Sequence, residues 1–216
     1  MKGIARRRGV VPGVLLLVAL IMMVLAMLTQ PAAAESVGTV ARLQGDAFAR
    51  AEGAVERQPL TIGAVVGAGD VLTTGPGGRL EVALADGGTL QLGANAAFVV
   101  DALALGEGRG GVLSTAMRLF GGPFRLLGNH EGGRVTTPPA VIGIRGTDLW
   151  GGFIDGGFGV LVQEGVVDVI TPGGVATLDA PGEGVMVFNP VDGPRDQRVW
   201  SQGKVRRAIA SVTLDN

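Results

Sequence analysis

The sequence predicts an all-β fold of many short strands with Gly-rich turns, ending in one short C-terminal helix. Three observations carry this. Apolar residues make up 47% of the 216 positions, too many for a disordered chain. They fall in short runs, and 38 glycines and 11 prolines punctuate those runs at nearly every corner, which is how short strands are bounded. Such spacing fits either a sandwich-like or a β-solenoid-like arrangement, and the pattern leaves both open.

Taken in order, Val37 to Leu43 reads as a first strand, and Gln44-Gly45-Asp46 turns into a second over Ala47 to Ala51. From Leu60 to Gly75, apolar triplets alternate with glycine, each too short for a helix and each followed by a corner. The clearest local signal comes next: Leu80, Val82 and Leu84 share one face, Asp86-Gly87-Gly88 turns, and Leu90 and Leu92 return inward, a half-buried hairpin. Ala97 to Leu105 and Gly111 to Leu127 continue as strands around a turn at 106–110. Past the centre of the chain, Phe158 to Val162, Val166 to Ile170, Val175 to Leu178 and Val185 to Phe188 read as separate short strands. Asn189 to Gln197 is polar, and Val199 to Ser211 is the one good helical segment, with Trp200, Val205, Ile209 and Val212 near helical spacing. A capping helix over a β edge is the expected role.

The chain is organised around Thr137 to Trp150, where Arg145 lies between Ile142 and Ile144 on one side and Asp148 and Trp150 on the other. The expectation is two short strands broken at Gly146, with Arg145 held by Asp148 or by backbone carbonyls. In a chain with two tryptophans and no tyrosine, the Gly-rich region from Arg145 to Phe158 is the candidate contact surface. Its binding candidates are Arg145, Asp148, Trp150, Phe153 and Asp155, while Trp150 and Phe153 also suit the end of a core.

Charge and targeting narrow the partners. Four of the 18 Lys and Arg residues precede Glu35, whereas all 19 acidic residues lie at or beyond it. The remainder therefore carries 14 cations against 19 anions, about −5, and nucleic acid is excluded for want of a basic face. A basic segment ending at Arg8, an apolar run from Val10 to Leu28 and the small site Ala32-Ala33-Ala34 have the form of an export signal. The predicted organisation is thus a signal peptide over 1–34, a β domain over 35–190, and a polar linker with the capping helix over 191–216. An uncleaved run would instead anchor the chain in the inner membrane. No cysteine is present, so disulfides, thiol chemistry and thiolate metal sites are excluded. The single histidine, His130, reads as an exposed loop tip, and no metal or cofactor is assigned.

Several of these motifs, in this order, resemble the FecR-domain family of bacterial envelope proteins. They are Leu60-Thr61-Ile62-Gly63, Gly69 to Gly75, Leu84 to Leu92 with Asp86 and Gly87, Thr137-Pro138, Ile144-Arg145-Gly146-Thr147, and Glu164 to Val169. Within them Gly69, Asp70, Asp86, Gly87, Arg145, Gly146 and Thr147 are the expected structural positions. The resemblance implies an all-β, partly solenoid-like module that works by protein contact and has no catalytic residues to transfer. Members that regulate sigma factors carry a cytoplasmic region before the membrane span; about eight residues precede the apolar run here, so the expectation is a free-standing exported domain.

The expected function is a non-catalytic interaction module in envelope signalling or assembly, periplasmic or displayed on the cell surface, with envelope proteins as partners. Binding of an envelope polysaccharide, or a structural role, is the alternative. An enzyme is disfavoured because no nucleophile–base pair is evident.

Overall fold

A computed structural model of the chain describes residues 35–102, 116–128, 130 and 132–215. The expected export signal over 1–34 and the expected turn at 106–110 lie outside the described residues. The architecture is all-β with a short C-terminal helix, as the sequence predicts, and residues from Glu35 onward form one compact unit.

Its spine is a long antiparallel hairpin, β12 (Val141–Ile154) and β13 (Gly157–Thr171). Asp155 and Gly156 form its two-residue turn, both with positive φ (50° and 85°), the backbone that lets right-twisted strands pair closely. On one side of β12, two wings diverge. Its first half pairs with β11 (Gly133–Thr136), and the sheet continues through β9 (Ala116–Gly121), β8 (Ala97–Ala102), β5 (Val71–Thr74), β2 (Ala47–Arg50) and β3 (Gln58–Pro59). Its second half pairs with β10 (Phe124–Gly128), followed by β7 (Thr89–Leu92), β6 (Arg79–Leu84), β1 (Ser36–Gln44) and β4 (Val65–Gly67). On the other side, β13 carries β14 (Gly174–Leu178) and β15 (Glu183–Val187), with β16 (Arg195–Val199) beyond β15. These sixteen strands form one sheet, whose two wings close over a shared core that includes Leu72, Phe98, Leu80, Leu90, Phe124 and Ile142.

The structure corrects the sequence reading in four places. Gly146 does not break Val141–Ile154, and Glu164-Gly165 is not a corner: each sits in a bulge of a continuous strand. Pairing passes from Arg145↔Val166 to Thr147↔Gly165, which leaves Gly146 extra, and then from Asp148↔Glu164 to Leu149↔Val162, which leaves Gln163 extra. Each insertion reverses the inside–outside alternation of its strand. Ile142 and Ile144 thus share the main core with Leu149, and Val167 and Val169 share it with Val160 and Val162. The segment Gly111 to Leu127 is divided at Gly122-Pro123 between β9 and β10. The expected polar linker contains a 3-10 turn, Pro190–Asp192, and the edge strand β16, all of whose residues are exposed.

The helix α1 (Gln202–Ala210) starts at Ser201, whose hydroxyl accepts from the Lys204 N–H. It covers a face of the hairpin rather than an edge. Ala208 and, just past the helix, Val212 join Trp150, Leu161, Met186 and Trp200 in a second, smaller core.

The paired bulge has a measurable requirement. Gly165 has φ +87°, and an added Cβ would overlap the Gly146 carbonyl oxygen. Gly165→Ala is expected to lower unfolding free energy in urea by about 3 kcal/mol or more. Gly63→Ala, at φ +84° but facing open space, should cost only about 1 kcal/mol.

Candidate functional site

Arg145 projects from β12 on the outer face of the sheet, its side chain 64% exposed. Its partner is Asp168 of β13, not Asp148. Asp168 also accepts from the Thr177 hydroxyl at 2.7 Å, and Thr177 first, then Arg145, holds its carboxyl below the ordinary 3.8. Asp148 faces the other way across β12 and receives two hydrogen bonds from Arg125 of β10, Nε at 2.7 Å and Nη2 at 2.6 Å. The two charged residues of the central motif thus bind opposite neighbours of the same strand. Gly146 occupies the bulge between them, and Thr147 pairs with Gly165.

Trp150 is 1% exposed, so its ring is core and closed to a partner. It packs edge-on against Trp200, with centroids 6.2 Å apart, and its Nε1 donates to the Ser211 hydroxyl at 3.0 Å. Asp155, in the hairpin turn, is exposed but engaged: Lys204 Nζ lies at 3.2 Å and Arg207 Nη2 at 2.7 Å. The Lys204 bond first, and the Arg207 bond after it, lower its carboxyl below 3.8. These contacts tie the helix to the hairpin tip.

Of the five candidates, Phe153 alone is an open apolar group, 69% exposed, with its ring edge-on to buried Phe158 at 5.6 Å. The reading of the sequence missed Phe188, also exposed, whose ring lies over the Gly157 backbone beside Met186. Strand alternation held the signal, since Val185 and Val187 point into the main core and the next residue must point away. Phe153 belongs to the main-core face and Phe188 to the helix face, so the end of the hairpin presents an aromatic ring on each side.

The remaining motif residues hold turns. The Gly67 N–H donates to Asp70 Oδ2 at 2.8 Å, and the Gly69 N–H to the Val100 carbonyl at 3.0 Å. Asp86 accepts from the Gly88 N–H at 3.0 Å across Gly87. His130 is not an exposed tip. Its side chain is fully buried, with Nε2 3.2 Å from the Leu127 carbonyl and Nδ1 3.0 Å from Asp86 Oδ2, the latter too far out of line for a full hydrogen bond. The ring lies against Gly88 and locks the β6–β7 turn to the segment after β10. Among the described residues no cluster of three or more His, Cys, Asp or Glu side chains could hold a metal ion.

Burial pushes the Asp86 carboxyl up, but the His130 ring, the Gly88 N–H and the His130 charge together bring it below 3.8. A carboxyl lowered on folding contributes stability that is present above its unfolded value and lost as pH falls through the folded one. The stability difference between the native protein and Asp86→Asn, measured by urea unfolding, should therefore shrink below pH 3.8. A difference independent of pH would show that the contact carries no ionic contribution.

The geometry agrees with what comparison finds. Residues 70–168 match the family described as FecR protein, a span that contains the β6–β7 hairpin, the central motif and Asp168. No curated protein matches the chain. Two crystal structures of a protein from Parabacteroides distasonis, described as a "putative anti-sigma factor", are similar at 18% identity, with TM-scores of 0.50 and 0.49. Each alignment covers 63% of this chain and 62% of that one, and the first supports the shared fold. The family motifs prove to be contacting halves of one structure, with Arg145 on Asp168 and Gly146 against Gly165, all within the residues 70–168 that match the FecR family.

Proposed function

We propose that this chain is an exported, non-catalytic interaction module of the bacterial envelope that takes part in signalling and contacts a partner protein through the end of its long hairpin. The observation that carries the reading is the pair of exposed rings, Phe153 and Phe188, on opposite faces of that end. A soluble surface gains nothing by holding two large aromatics in water, whereas such rings act as anchors once a partner removes them from it. Beside them the Asp155–Lys204–Arg207 cluster supplies the polar rim that protein contacts use.

Support also comes from the FecR match and from the fold likeness to a protein described as an anti-sigma factor, both of which fit regulation by protein contact. Of the motif residues, Asp148 and Asp168 are engaged in structural ion pairs with Arg125 and Arg145, which agrees with a non-catalytic role. Export and a periplasmic or surface location rest on the basic, apolar and small-residue pattern of 1–34.

In cross-linking of the native envelope followed by mass spectrometry, Phe153→Ser with Phe188→Ser should abolish the linked partner. Stability should stay within about 0.5 kcal/mol, because both side chains are already largely exposed. Undiminished recovery of the same partner would contradict the reading.

A further inference from the structure

The outer face of the sheet is covered by α1 only over the Trp150–Leu161 half. On the other half, strand register sets Arg134, Gly143 and Asp168 in one row across β11, β12 and β13. The neighbouring row is Thr136, Val141, Ile170 and Val175. Gly143, lacking a side chain, leaves a trough of about 370 Å³ lined by Arg134, Val141, Arg145, Asp168 and Ile170. Ile170 and Val175 form an exposed aliphatic shelf along it.

The donors of this trough are largely unused. Arg145 commits a single Nη2 to Asp168, whose other oxygen is taken by Thr177. Arg134 is exposed and, among the described residues, has no carboxylate partner. We infer that the trough docks a segment of a partner protein that places an acidic side chain next to aliphatic ones. The carboxylate lies between Arg134 and Arg145, and the aliphatic groups cover Ile170 and Val175.

Charge and energetics select this occupant. A second copy using the same face around a two-fold axis would bring arginines against arginines. A polyphosphate needs a broad basic surface, whereas residues from Glu35 onward carry an excess of acids. A small anion in an open groove gains little from each exposed guanidinium, so the aliphatic contact must supply the remainder. The inference rests on the reading of the chain as a protein-interaction module but concerns a face separate from the hairpin end.

The test is a titration of the 15N-labelled exported protein, followed by NMR, with the capped peptide Val-Glu-Val-Asp-Val and with its isosteric control Val-Gln-Val-Asn-Val. The acidic peptide is expected to shift the amides of Gly133, Arg134, Gly143, Arg145 and Ile170, and the control to leave them in place. Arg134→Gln removes no ion pair of the described fold, so it should leave the thermal midpoint unchanged and weaken binding about fivefold. Equal shifts with both peptides, or unaltered binding by Arg134→Gln, would overturn the inference. So would shifts confined to residues 153–158 and 188, which would place acidic docking at the hairpin end. Concentration-dependent shifts of trough amides without peptide would overturn it in favour of self-association.

Discussion

Gly165 passes so close to the Gly146 carbonyl that β13 could carry no larger residue at the crossing without moving β12. This contact allows β12 and β13, fourteen and fifteen residues long, to stay paired on both sides of the bulges while both reverse their inside–outside alternation. Before the bulge, Ile142, Ile144, Val167 and Val169 point into the core; beyond it, Leu149, Val160 and Val162 do. The reversal also turns Trp150 and Leu161 outward to receive the helix. One hairpin thus serves two cores and holds two wings of sheet.

The same geometry explains the division of labour among the charged and aromatic residues. Three carboxylates of the long hairpin have side-chain partners: Asp168 has Thr177 and Arg145, Asp148 has Arg125, and Asp155 has Lys204 and Arg207. Exposed pairs such as Arg145–Asp168 add at most about 1 kcal/mol each, so they fix orientation more than they stabilise. The two surfaces proposed for contact lie where the fold leaves side chains uncovered: the phenylalanines at the hairpin end and the trough floored by Gly143. Phe153 and the trough residues Gly143, Arg145, Asp168 and Ile170 lie on the long paired strands β12 and β13, which hold a contact patch more firmly than a loop would.

Much of this was legible in the sequence, and the failures share one cause. The β6–β7 hairpin, the all-β class and the C-terminal helix are local features, set by alternation and turn residues within a few positions, and they appear where expected. The long hairpin was hidden because glycine within a strand looks the same as glycine at a corner; only the partner strand shows that Gly146 and Gly165 oppose each other. For Arg145 the nearby sequence offers Asp148 or backbone carbonyls, whereas its partner lies 23 positions away. Trp150 was a candidate contact because its helix cover comes from the far end of the chain, and His130 lost its apparent exposure to a turn some forty residues before it. The Asp155-Gly156 turn was readable from residue type alone, but the surrounding glycines masked it.

Native-state hydrogen exchange would test the central claim, that the bulged hairpin is the spine on which the two wings and the helix depend. The account predicts that hydrogen-bonded amides from Val141 to Leu149 and from Val160 to Val169 exchange only by global unfolding, with the slowest rates in the protein. If those amides opened and exchanged while the β6–β7 wing stayed protected, the hairpin would be a local attachment, and the claim would be wrong.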